Sequence, residues 1–427
     1  MRRRLPSVLQ QRDFSLYWAA FFATSFASQM VAVAVGWQVY AIHENPLDLG
    51  LIGLAEFVPL PLLALPAGHL ADRLPRRYIF AASIVLDAVV TALLLLVTLS
   101  GAQVLWPYLV LALSSGVAVA VGWPAARALP PTLVSVDLLA NATAVRSIAG
   151  QTATIAGPAV GGILFAVQAE LVYGVAVGLF VLSLAFILPV RERREPIEAG
   201  ETHPGLDMVL AGTRFVRRTP VLLGAITLDL VAVLFGGAIA LLPLFAKSVL
   251  DTGPVGLGIL RSAPAVGALC GGIWLARRPI GRRAGRTLLI VVAVFGASFI
   301  TFGLSRSFWL SIAALAVAGF ADMFSMNIRS MTVAVATPDE LRGRVNAVEM
   351  VFISASNELG AFESGVAAAL IGAVPAVVIG GVVTIVAAAT WGRLFPPLLE
   401  IDRLEELRPA EVEAPAGPAR AGPASTR

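Results

Sequence analysis

The chain is 427 residues long, 58% of them apolar and only 14% charged, with a mean hydropathy of +0.84. A soluble domain of this size does not need so much apolar surface, so the composition excludes an ordinary globular enzyme and makes a bilayer the expected solvent. The net charge of +4 and the pI near 9.7 do not mark a nucleic-acid binder, because the arginines fall in short clusters between apolar runs, the pattern that orients membrane spans.

The opening "MRRRLPSVLQQRDFSLYW" has the basic start of a signal peptide. The apolar run that follows is too long and lacks an early cleavage site, so it is expected to remain as a first span. A helix needs about 20 predominantly apolar residues to cross the hydrocarbon. That rule places spans near 14–41, 47–70, 78–99, 104–127, 138–167, 170–190, 220–247, 254–276, 287–304, 308–336, 346–371 and 376–396. With the loops assigned alternately to two sides, nearly every basic residue falls on one of them, and only Lys247 and Arg306 fall on the other. The even span count and this bias put both termini in the cytoplasm, with the chain multi-pass in the cytoplasmic (inner) membrane.

The organisation expected is an all-α membrane protein of two pseudo-symmetric six-helix bundles, 1–190 and 220–398. A cytoplasmic linker, 191–219, joins them, and a Pro-, Ala- and Gly-rich disordered tail, 399–427, follows. Internal similarity supports the division. "WPAARALPPTLVSVDLLANA" carries Arg127, Asp137 and Leu139, and "MNIRSMTVAVATPDELRGRVNA" carries Arg329, Asp339 and Leu341 at one constant offset. A weaker echo joins "LGLIGLAEF" with "VGLGILRSA", each opening a second span. Repeats of this kind are a signature of transporters whose two bundles rock about a site near mid-membrane.

Between the second and third spans lies "GHLADRLPRRYIF". Its Arg73, Arg76 and Arg77 hold the loop in the cytoplasm, but Asp72 contributes nothing to orientation. Ionisable groups inside spans cost at least about 2.5–3.5 kcal/mol on insertion scales, so each needs a reason. They are Glu56, Asp87, Asp229, Arg261, Asp322, Glu358 and Glu363, while Glu349 lies close enough to a helix end to reach the interface. A proton-carrying carboxyl must pass between charged and neutral forms, with burial favouring the neutral form and a nearby arginine or water the charged one. In the fifth span, "GQTATIAGPAVGG" combines small residues that let backbones approach with Pro158, which bends the helix. The tryptophans Trp18, Trp37, Trp106, Trp123, Trp309 and Trp391 fall mostly near span ends, as an interfacial belt.

Two of these stretches resemble signatures of the major facilitator superfamily. In the loop, Gly68, Leu70, Asp72, Arg73, Arg76 and Arg77 match, with Pro75 standing where the family usually has glycine. In the fifth span, Gly157, Pro158, Gly161 and Gly162 match the signature typical of proton-exchanging exporters. "TLDLVAVLFGGAIALLPLFA" and "SASNELGAFESG" are further similar to the branch that holds enterobactin-type siderophore exporters. The resemblance implies proton-coupled antiport by alternating access, expelling a siderophore-like or amphipathic small molecule. Asp229 and Glu358 are its leading proton-coupling candidates, with Glu56 and Asp322 next. It also implies that Asp72 latches the two halves on the cytoplasmic side, near residues 340–348.

General multidrug efflux or nutrient uptake by the same fold are the alternatives. An ATP-driven pump is disfavoured because Lys247, in "LFAKSVL", is the chain's only lysine and no phosphate-binding loop is present. An enzyme would need a nucleophile with a base, or a metal cluster. Cys270, buried in an apolar run, and the scattered His43, His69 and His203 supply neither. No metal, cofactor or nucleic acid is expected, only protons, a small molecule and the lipid around what is expected to be a monomer.

Overall fold

The computed structural model describes residues 7–63, 66, 74–192, 206–236 and 238–402. These residues are helical almost throughout, and no strand occurs among them. That is what lipid dictates, since a spanning backbone must satisfy its polar groups within its own segment. In chain order the spans are α1 (Arg12–His43), α2 (Pro46–Phe57, continuing to Leu63), α3 (Arg76–Leu99), α4 (Trp106–Ala128), α5 (Val136–Val167) and α6 (Ala169–Ile187). There follow α7 (Pro220–Gly236), α8 (Gly253–Arg277), α9 (Ala284–Leu304), α10 (Phe308–Ala336), α11 (Asp339–Ile371) and α12 (Ala373–Leu394). Eleven of the described helices are long and apolar enough to cross a membrane. The twelfth, α11, has 33 residues but carries too many polar and charged side chains to share that apolarity.

The spans run alternately between two faces. Ser7, Glu192 and Asp402 lie at what we term the terminal face, and Glu44, Gln168, Thr252 and Gly372 lie at the opposite face. Local chemistry sets several boundaries. Asn45 caps α2 by accepting from the Leu47 N–H at 3.0 Å, with Pro46 in the first helical turn. The regular helix of α2 stops at Phe57, where Pro59 and Pro61 remove helical donors, so Glu56 sits just before a break. Beyond Gly236, α7 continues irregularly through a 3₁₀ turn (Ala238–Leu241) and a π turn (Phe245–Val249).

The first six spans share a core of Phe14, Tyr17, Phe80 and Phe180, and the last six one of Leu228, Leu288, Val292 and Leu398. A third core spans both sets through Tyr40, Val90, Phe245 and Phe302. Within the expected linker, a helix Leu206–Arg218 packs Phe215 and Val216 against Leu222, Val333 and Val345. Ile401 is buried and Asp402 is held by hydrogen bonds, so residues 399–402 continue the last six spans where the tail was expected to begin. Residues 193–205 of the linker and 403–427 of the tail lie outside the described residues.

One device occurs twice. The N–H groups of Arg76 and Arg77, which open α3, donate to the Glu192 carboxylate at 3.2 and 2.5 Å. In the second set, the Arg283 N–H at the head of α9 donates to the Asp402 carboxylate at 3.0 Å, and the Ala284 and Gly285 N–H groups donate to the Asp402 and Ile401 carbonyls. In each case an acid just past the last span neutralises orphan donors and the positive dipole end of the third span. Glu192→Ala and Asp402→Ala are each expected to cost about 1 kcal/mol of stability, read as a lowered thermal midpoint of the purified protein.

Candidate functional site

A cavity of about 800 Å³ lies between the two sets of spans. Its ionisable lining is Glu56 from α2, Asp87 from α3, Arg261 from α8, Asp322 from α10 and Glu358 from α11. Glu56 is within electrostatic range of Glu358, Arg261 and Asp87, and Glu358 is within range of Arg261. The weak sequence echo therefore has a spatial meaning, because Glu56 and Arg261 occupy nearly matching places in the two second spans and meet in one cavity. Trp123 and Phe295 add accessible aromatic surface, with the buried Tyr108 and Phe180 behind the wall. Trp123, expected in the interfacial belt, also borders the cavity and is 55% exposed. Cys270, expected to be buried, is exposed.

A second group of charges lies away from the cavity. Arg329 on α10 forms an ion pair with Asp229 on α7, and its Nε donates to Glu349 on α11 at 3.3 Å. Arg329 is 4% exposed and Asp229 9%, and the three pack closely with Ile226 and Phe352. The repeat-related Arg127 is instead exposed. Asp137 lies exposed in the first turn of α5, and Asp339 opens α11.

Contacts between the halves gather from mid-depth to the opposite face. There α5 crosses α8 with glycine against backbone: a Cβ at Gly162 would collide with the Pro254 carbonyl, and one at Gly258 with the Pro158 carbonyl. Similarly, a Cβ at Gly365 of α11 would lie 2.7 Å from the Gly50 Cα of α2. Lys247 pairs with Glu44 at 2.8 Å, and the Tyr40 and Ser248 hydroxyls are 3.0 Å apart. At mid-depth the Gln151 amide donates to the Ala265 carbonyl at 2.7 Å. Toward the terminal face α5 is uncovered, with Asn141, Thr143, Ser147 and Ile148 exposed. Gly162→Leu is expected to prevent this crossing and to abolish transport, whereas Gly178→Leu on α6, where a Cβ meets nothing, is expected to be tolerated. Substrate flux in vesicles, normalised to membrane-inserted protein, checks both.

The residues singled out in the sequence therefore separate. Glu56, Asp322 and Glu358 line the cavity, and Asp229 belongs to the Arg329 cluster. Gly157 and Gly161 pack on α1, where added Cβ atoms would meet Gln29 and the Met30 backbone, and Pro158 and Gly162 face α8. Arg76 and Arg77 tie the start of α3 to the carbonyls of Ala128 and Val190. Gly68, Asp72 and Arg73 lie outside the described residues. Sequence reasoning passed over Glu192 and Asp402; the available signal was an acid within a few residues of the last apolar run of each half. Among the described residues, no cluster of His, Cys, Asp and Glu has metal-ligand geometry.

Comparison with known proteins agrees with this architecture. Residues 6–416 match the family model described as transmembrane secretion effector. The enterobactin exporter EntS of Shigella flexneri is 28% identical over 407 residues, with 92% of each chain covered. That of Escherichia coli O1:K1 / APEC is 27% identical over 406 residues, again with 92% of each covered. Among solved structures, a variant of the nucleoside transporter NupG superposes with a TM-score of 0.72 at 14% identity, covering 90% of this chain and all of that one. A bacterial homologue of the lysosomal transporter Spinster gives 0.70 at 15% identity, covering 93% of this chain and 99% of that one. At such identities the structures establish the fold alone, whereas the family match runs nearly end to end. The chain belongs to the transmembrane secretion effector family of the major facilitator superfamily, and is a membrane transporter, not an enzyme.

Proposed function

We propose that the chain is a proton-coupled secondary exporter that expels a siderophore-like or amphipathic small molecule across the cytoplasmic membrane. The observation that carries this reading is the cavity between the halves, where Glu56 and Glu358 face each other and Arg261 from opposite sides of the interface. The siderophore class is favoured by the 27–28% identical exporters. In this reading the arginine-rich terminal face is cytoplasmic. The cavity is then shut toward the outside by the α5–α8 and α2–α11 crossings. The units 1–190 and 220–398 of a single chain rock about it to expose it alternately.

Glu358 and Glu56 carry the proton, with Asp322 on the same wall. Asp229 was the other leading candidate by sequence. In its place with Arg329 and Glu349, its role is to hold α7, α10 and α11 together. Asp229→Asn is then expected to leave proton-driven transport measurable, and complete loss of transport in membrane-inserted protein would return Asp229 to the coupling step. Asp72 is assigned the cytoplasmic latch on the strength of the family resemblance.

Everted vesicles test the coupling: adding substrate must release protons from energised vesicles that contain the protein and not from those that lack it. Deleting the gene under iron limitation tests the substrate. Siderophore is expected to accumulate in the mutant cells at the expense of the medium, and equal secretion by mutant and parent would remove the siderophore.

A further inference from the structure

We infer that the cavity also takes amphipathic organic cations, which share its carboxylates with protons. This rests on the exporter reading and extends its range of substrates. The wall holds four acids against one guanidinium, and that guanidinium lies within range of Glu56 and Glu358. Asp87 and Asp322, which come from opposite halves, are left over. Neither has a hydrogen-bond or ion-pair partner among the described residues, and both line the same cavity. The lining segments of α1, α4, α5, α6, α7 and α9 contribute hydroxyls, an amide, aromatic rings and aliphatic groups, but no further charge.

Carboxylates in so enclosed a place must be neutralised by protons or a bound cation, or else be solvated by water. Only the bound cation can also use the walls. Trp123 and Phe295 offer accessible ring surface to a positive centre, and the aliphatic lining offers apolar surface to its substituents. A volume of about 800 Å³ suits a molecule of drug size. An anion of the same shape would meet the same rings but be repelled by the acids. A cation seated between Asp87 and Asp322 bridges the halves, and protons arriving at Glu56, Asp87, Asp322 and Glu358 displace it.

The test uses two probes of one shape and opposite charge, tetraphenylphosphonium and tetraphenylborate, on the purified full chain in lipid nanodiscs. Tetraphenylphosphonium is expected to bind saturably and more tightly at alkaline than at acidic pH, and tetraphenylborate not to bind specifically. Asp322→Asn and Asp87→Asn are each expected to weaken the phosphonium by about tenfold or more. Equal binding of the two probes, or phosphonium binding indifferent to pH and to both substitutions, overturns the inference. The comparison of probes on the unmutated chain keeps the test decisive if a variant fails to fold. A protein that exchanges a siderophore for protons yet ignores the phosphonium would sink this inference and leave the exporter standing. One that moves neither substrate nor protons would sink both.

Discussion

Glu358→Gln reduces proton-driven export by about 100-fold or more, the scale of losing an essential proton carrier, while substrate-for-substrate counterflow persists. Glutamine keeps the volume of the side chain and much of its hydrogen-bonding capacity, so the loss isolates the titrating group. The effect is large because of where Glu358 stands. It rises from α11 against the glycine side of α2, where a Cβ at Gly53 would lie 3.8 Å from its Oε2, and Glu56 follows one turn along that helix. Two carboxylates from opposite halves thus share one arginine across the interface. With both ionised they resist approach of the halves, and a proton on either removes part of that resistance. Counterflow cycles with substrate bound throughout and needs no such discharge. Proton-driven export and substrate counterflow measured on the same proteoliposomes check the prediction, which fails if both fall together or neither falls.

The second large effect is on stability. Arg329→Met is expected to cost about 3–5 kcal/mol, because it strands the largely buried Asp229 and Glu349 without a countercharge. Asp229→Asn leaves Arg329 its Glu349 partner and should cost less. The triple change Arg329→Met, Asp229→Asn, Glu349→Gln should recover most of the loss, since the penalty comes from uncompensated charge and not from a missing contact. Arg127→Met, at the repeat-related but exposed position, provides the comparison and should cost about 1 kcal/mol or less, because water solvates the charges it leaves behind. Thermal unfolding of the four purified variants decides the matter. A loss in Arg329→Met that the triple variant does not relieve would show that the guanidinium's packing, not its charge, is what matters.

The number of spans and their alternation were legible because both follow from apolar run lengths and arginine positions. The repeat was legible because Arg127 and Arg329 keep one offset from an Asp-Leu pair. Which acid faces the cavity was not. A soluble helix announces its buried side by a polar opposite side, but a span meets lipid and protein with equally apolar surfaces, so rotation about its axis leaves little trace. Asp229 and Glu358 therefore read alike in sequence, although one is paired with a buried arginine and the other lines a cavity. The caps escaped notice because each joins residues more than 100 positions apart.

Those caps bear on how the molecule moves. By fastening its last residues onto the head of its third span, each half closes into a ring of helices that cannot unzip from its own end. In the proposed cycle, rocking leaves bonds inside a ring untouched and remakes only the glycine crossings and the few polar contacts between the rings. A transporter built this way concentrates its mechanical compliance in one seam, and the seam runs through the cavity where Glu56 and Glu358 face each other.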